Sequence, residues 1–183
     1  AGEIVTVAGI AGIDAGETRT DPLSPMAVPS PDIDRPTLAM NFLANDSPFM
    51  GKEGKYVTST SLWERLMKEK ERNVSLEIER TESRESFVVK GRGELQLAIL
   101  IENMRREGYE FQVSKPEVIY RHVNGVRCEP YEQAVVDVPD NYVGPVMEMM
   151  GRRRGEMTNM GRGNEGYSRL EFRVPSRGLI GFR

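Results

Sequence analysis

The sequence predicts an α+β fold made of two consecutive units, and three observations predict it. Between residues 35 and 114, period-2 and helical apolar spacings succeed one another in the order β-α-β-β-α-β. After residue 128 the same order restarts and stops beyond its third strand. Glycine and proline mark the joins between these segments. That order is the split βαβ, or ferredoxin-like, arrangement. The expected architecture is two ferredoxin-like domains, the second incomplete, preceded by a short β segment.

Residues 1–34 carry Gly2, Gly9, Gly12 and Gly16, then Pro22, Pro25, Pro29 and Pro31. Ile4, Val5 and Val7 are β-formers, so this stretch is expected to hold a strand running into a Pro-rich connector. In the first unit, Leu38, Met40 and Phe42 alternate with Ala39 and Asn41, as in a half-buried strand. Ser61 and Glu64 have capping-box spacing. Leu62, Trp63, Leu66 and Met67 then share one helical side, and Lys68, Lys70 and Arg72 suit the helix C-terminus. Trp63, on that apolar side, is assigned to core packing rather than to base stacking. Val74, Leu76 and Ile78 alternate with Ser75, Glu77 and Glu79, and a shorter strand covers Ser86–Lys90. Leu97, Leu100, Ile101 and Met104 recur at i, i+3, i+4 and i+7, with Gly108 as a natural terminator. Glu102 and Arg106 form an i,i+4 pair, and Tyr109–Ser114 reads as the final strand.

Residues 115–127 form a linker with a turn at Asn124-Gly125. The second unit occupies 128–183. Ala134, Val136 and Val138 share one face of a strand. Val143, Val146, Met147 and Met150 follow at helical spacing, with Pro145 in the first turn and Gly151 or Gly155 closing the helix. Met147, Met149 and Met150 are assigned to core or interface filling. A weak strand at Glu156–Met160 precedes the alternation of Leu170, Phe172 and Val174 with Arg169, Glu171 and Arg173. Without a second helix, the face of Leu170, Phe172 and Val174 should lie uncovered. Self-association, or contact with the first unit, is the expected consequence.

Composition excludes several function classes. The formal charge is −3, from 25 Lys+Arg against 28 Asp+Glu, so the chain is not a wholly basic nucleic-acid binder. One cysteine, Cys128, excludes a disulfide scaffold, and one histidine, His122, leaves too few ligands for an ordinary zinc site. Neither has a partner at catalytic spacing. No apolar run reaches the roughly 20 residues of a membrane span, and the expected setting is cytoplasmic. The abrupt ends suggest a piece of a longer protein. Gly161-Arg-Gly163-Asn-Glu-Gly166 satisfies G-x-G-x-x-G but precedes a strand, so it lacks the helix N-terminus that holds a pyrophosphate. It is read as a hairpin connection. No P-loop motif occurs, and no set of residues assembles a nucleophile, base and oxyanion donor.

Charge is unevenly placed. Residues 115–183 hold 11 Lys+Arg, 10 of them Arg, against 9 acids, whereas residues 1–114 hold 14 against 19. Arginine is favoured where planar, bidentate phosphate recognition matters. Arg152, Arg153 and Arg154 follow the predicted helix in direct succession, and three cations cannot all serve one helix dipole. With Arg162, Arg169, Arg173, Arg177 and Arg183 they define a candidate RNA-phosphate face, in which Arg152, Arg153, Arg154, Arg162 and Arg177 are the predicted RNA-binding residues. Four such contacts correspond to a salt slope of only about −3, a weak binder. A competing reading is a tandem ferredoxin-like regulatory protein that binds a small molecule between its sheets, with the loop at 161–166 as lining.

Three strings carry a resemblance. GRGELQLAILIENMRREGYEFQVSKPEVIY (91–120) resembles the second helix and last strand of domain III in translational GTPases. NDSPFMGKEGKYVTS (45–59) and PSRGLIGFR (175–183) are similar to the TypA/BipA family in particular, and MGRRRGEM (150–157) is similar to a pattern shared with domain V of elongation factor G. The resemblance implies that residues 1–34 are the end of the domain II β-barrel and a connector, 35–114 domain III, and 128–183 part of domain V. It implies ribosome association, with ribosomal RNA and proteins as partners, and roles in ribosome assembly and stress adaptation. In that family GTP and Mg²⁺ belong to domain I, which has no counterpart in this sequence. No cofactor, metal or catalytic residue is therefore carried over, and this chain is not expected to be an enzyme.

Overall fold

A computed structural model describes residues 2–10, 16–29, 34–83 and 85–182. The first unit runs β1 (Leu38–Ala44), α1 (Ser59–Arg72), β2 (Glu77–Arg80), β3 (Ser86–Gly91), α2 (Glu94–Arg106) and β4 (Phe111–Val113). Its sheet has the order β2-β3-β1-β4, antiparallel throughout, as a split βαβ unit requires. β5 (Glu117–Val118) continues the line of β4 along β1, pairing Leu38 with Val118 where β4 paired Phe42 with Val113.

Alternation sends Leu38, Met40, Phe42, Leu76, Ile78, Phe87 and Val89 to one sheet face, where they meet Leu62, Leu66, Leu97, Leu100 and Met104 of the two helices. Phe42 stacks on Phe111 with centroids 5.4 Å apart. Trp63 lies 5.2 Å from the Phe87 ring, with the Arg80 guanidinium 4.2 Å from its own centroid. It is core material, as its helical position implied.

α1 begins one turn earlier than the Ser61/Glu64 spacing suggested. Thr58 is the cap, its side chain accepting from the Ser61 N–H at 3.2 Å, and the Ser61 hydroxyl donates back to the Thr58 carbonyl. The cap thus satisfies one helix N–H and captures three further helical residues, while the Ser61 hydroxyl donates to the cap carbonyl rather than accepting from the cap N–H as a capping-box Glu would. α2 ends as expected: Gly108 is left-handed at φ +92, and the Tyr109 N–H reaches the Met104 carbonyl.

The linker is more structured than its composition implied. β6 (Arg121–Val123) and β7 (Val126–Cys128) form a hairpin closed by Asn124 and Gly125, at φ 52 and 79. Positive φ at both central residues is the type I′ turn that matches strand twist.

The second unit comprises β8 (Tyr131–Pro139), a single 3-10 turn (Asp140–Tyr142), α3 (Val143–Arg152), β9 (Glu156–Arg162), β10 (Tyr167–Pro175) and a four-residue helix, α4 (Ser176–Leu179). The sheet order is β8-β10-β9, with β10 central. Met150 is fully buried, as core assignment requires, and Met149 is half-buried, whereas Met147 is exposed.

Two expectations are corrected. Leu170, Phe172 and Val174 are 0%, 2% and 0% exposed, so the face expected to be open is closed. α3 covers it through Met150, and the segment after β10 folds back so that Leu179 and Phe182 join the same core. Self-association through an uncovered face thus loses its motive. Upstream, Ile4, Val5 and Val7 are exposed and form no strand, because no partner among the described residues completes a ladder with them.

Replacing Thr58 by alanine removes the α1 cap and should lower stability by about 1 kcal/mol, read from denaturant midpoints; Ser83→Ala, in an exposed turn, is the comparison. The middle of α1 is tied to the C-terminus of α2 by Arg65, which donates to both Glu107 oxygens at 2.6 and 2.8 Å and to Glu69 at 2.9 Å. The hydrogen bond from Arg65 holds the Glu107 carboxyl below its usual range. A depressed folded pKa adds stability above the unfolded value and loses it as pH falls through the folded one. Glu107→Gln should therefore flatten the acid limb of the stability profile below about pH 4.5 and leave its shape above pH 6 unchanged.

Candidate nucleic-acid interface

The antiparallel register sorts the basic residues by end. In β10 the Pro175 end lies beside Tyr131 and Glu156, and the Tyr167 end lies beside Pro139 and Arg162. The end of α3, the start of β9 and the segment 176–182 therefore gather at one end of the sheet, together with residues 129–131. Arg162 lies at the other end, a strand length of roughly 20 Å away. The five predicted residues do not form one patch. Four are brought together and one is apart.

At the first end the helix stop distributes the three consecutive arginines. Arg153 is the C-cap, Arg154 takes the left-handed position at φ 62, and Gly155 donates to the Met150 carbonyl at 2.8 Å. A left-handed residue without glycine's freedom carries strain, and its side chain is thrown outward into solvent. Arg152 also projects into solvent, with only an i,i+4 bond to Glu148 at 2.5 Å. Both guanidinium groups are exposed at the surface.

Arg153 turns inward. Its Nη1 donates to the carbonyl oxygens of Gly178 at 2.7 Å and Ile180 at 3.0 Å, its Nη2 to that of Gly181 at 3.1 Å, and its plane lies 5.5 Å from the Phe182 ring centroid. Gly178 makes the approach feasible, since a Cβ there would come within 2.5 Å of the Arg153 carbonyl oxygen. Arg177 is held too: it makes a two-pronged bond to Glu129 at 2.6 and 3.2 Å. That bond holds the Glu129 carboxyl below its ordinary range and the Arg177 guanidinium above its own. Two of the five candidates are thus engaged inside the molecule.

Arg162 ends β9 at the mouth of the 161–166 connection. Gly163 donates to the Tyr167 carbonyl at 2.9 Å, and Gly166 is left-handed at φ 76, which gives a hairpin bend. No helix follows, so the G-x-G-x-x-G match has no phosphate-binding geometry. Arg162, Gly163, Asn164 and Tyr167 line a shallow cleft with Asp137 and Arg169. Arg169 is bound to Asp137 by two 2.8 Å bonds, and Arg173 lies over the Tyr131 ring at 4.7 Å. Arg183 is outside the described residues.

The 161–166 loop lines a cleft of about 750 Å³ with Asp140, Met160, Tyr167 and Ser168, but that cleft does not lie between the two sheets. A cleft of about 760 Å³ does lie between the units, but Asp34, Arg35, Arg92, Arg121, Glu129 and Tyr131 line it, and the glycine loop is at the far end of the second sheet. Among the described residues no group of His, Cys, Asp and Glu is arranged to hold a metal ion, and no helix is long and apolar enough to cross a membrane. His122 lies on the exposed β6.

Likeness to known proteins places the chain first in a class. Residues 126–183 match the family described as elongation factor G C-terminus. The whole chain is 56% identical to the large ribosomal subunit assembly factor BipA of Synechocystis, 54% to that of Bacillus subtilis, and 50% to the TypA-like chloroplast protein SVR3 of Arabidopsis thaliana. In each case all of this chain is aligned, against 31%, 30% and 27% of the relative. The chain belongs to the BipA/TypA family and spans about 30% of the length of those relatives.

The two kinds of arginine should separate in thermal melts. Arg153→Ala removes three charge-assisted bonds and should cost about 2 kcal/mol, while Arg152→Ala should leave the midpoint unmoved.

Proposed function

We propose that this chain is the ribosome-contacting part of a translational GTPase that acts in large ribosomal subunit assembly. The observation that carries the reading is the identity of 48–56% over the whole chain to proteins named for that assembly. Its second unit contacts RNA phosphates through Arg152 and Arg154 at the end of α3, with Arg162 as a separate contact about a strand length away. Arg153 and Arg177 support that surface from inside. Ribosomal proteins are further partners, the setting is cytoplasmic, and a role in stress adaptation follows from the family likeness. GTP and Mg²⁺ chemistry resides in a part of such a protein outside the stretch spanned here, since these residues hold no P-loop, and the chain alone turns over no nucleotide.

Three arginine contacts correspond to a salt slope of only about −2 to −3, so binding by this chain alone is weak and modestly salt-dependent. The test is filter binding to isolated large subunits at about 50 and 200 mM salt. The triple variant Arg152→Glu/Arg154→Glu/Arg162→Glu should bind more weakly and flatten the slope while melting like the parent. Equal binding by that variant at both salts would remove the RNA face.

A further inference from the structure

The segment 176–182 touches both units. It leaves β10 with the Ser176 N–H on the Pro130 carbonyl at 3.0 Å and with Arg177 forked onto Glu129. α4 then lies against β5 of the first unit. From there successive residues alternate between the two cores. Leu179 packs into the second, Ile180 into the first, and Phe182 into the second again. Between them the Gly181 N–H donates to the Glu94 carboxylate, at the start of α2, at 2.6 Å. Arg153 collects the carbonyls of 178, 180 and 181 from the other side.

We infer that residues 176–182 are an inter-unit strap, bolted by Arg153 in the second unit and by Glu94 and the packing of Ile180 in the first, which holds the two ferredoxin-like units in one arrangement. The chemistry suits the role. Carbonyl oxygens turned toward Arg153 and an N–H turned toward Glu94 mean that one short peptide presents acceptors to one unit and a donor to the other. Charged partners make each of these bonds stronger than a neutral one. Ile180 adds apolar area on the first unit that only the strap supplies. Gly178 is a glycine because the strap runs directly on the Arg153 backbone, and Gly181, left-handed at φ 65, turns the chain between its two attachments.

The strap predicts a mechanical coupling with no RNA in the experiment. Spin labels are placed at Glu71→Cys in α1 and Met160→Cys in β9, both exposed, in a Cys128→Ser background of the full chain. Pulsed dipolar spectroscopy should give one narrow distance distribution. Glu94→Ala and Ile180→Ser touch the first-unit anchors without entering the second core, and each should broaden the distribution or add a second maximum. Arg152→Ala, beside the bolt but facing solvent, should not. A broad distribution in the parent would overturn the inference, and so would an unchanged narrow one in both Glu94→Ala and Ile180→Ser. Loss of ribosome binding by the arginine triple variant bears only on the RNA face, so the two ideas fail separately.

Discussion

The guanidinium of Arg153 is the interaction on which the second unit depends. A split βαβ sheet needs cover along one face, and α3 alone supplies only part of it. The remainder comes from residues 179 and 182, carried on a peptide with too few residues to satisfy its own backbone groups as helix. Two of its carbonyls, those of Gly178 and Ile180, are part-buried and would lose their side-chain partner without Arg153, and unpaired buried carbonyls are costly. One planar cation with several donors satisfies both, and that of the exposed Gly181 as well, which a lysine's point charge does not match. The burial of Leu170, Phe172 and Val174 follows from that contact.

Period and punctuation made most of the architecture legible. β1, β3, α2, β8 and β10 follow from alternation or helical spacing because one face of each is buried and the other is wet. β9 was weak in the sequence for a physical reason: all seven residues are exposed, so no burial pattern is written into them. The start of α1 was misplaced because Thr58 and Ser61 are both chemically able to cap, and the deciding variable is the backbone angle of the residue before the helix. The closed face of β10 was not legible at all. It depends on a fold-back of Leu179 and Phe182, whose two apolar side chains give no direction when read as a short run.

The arginines show the same limit more sharply. Arg152, Arg153 and Arg154 are one string in the sequence, but a helix terminus turns neighbouring residues through about 100° each, and the left-handed step at Arg154 adds a further turn. Identical side chains thus receive different tasks. One is left to solvent beside Glu148, one is drawn inward by carbonyls, and one is thrown out by an unfavourable backbone angle. A signal for Arg153 did exist in the sequence. Pro175, Gly178 and Gly181 space out a peptide that sustains only the short α4, and such a peptide needs a donor from elsewhere.

This division also accounts for the charge pattern of the whole chain. A surface meant only to attract phosphate gains from every added cation, whereas the second unit keeps its net charge near zero and pairs Arg169 with Asp137 and Arg177 with Glu129. Each such pair removes a cation from the long-range field while fixing a strand or strap in register. What still faces solvent, Arg154 and the Glu148-paired Arg152, flanks the residue that bolts the strap. In the proposed RNA contact, positioning rather than field strength is what these two arginines would supply. A fixed spacing between two arginines selects among phosphate arrangements, and a diffuse basic patch does not.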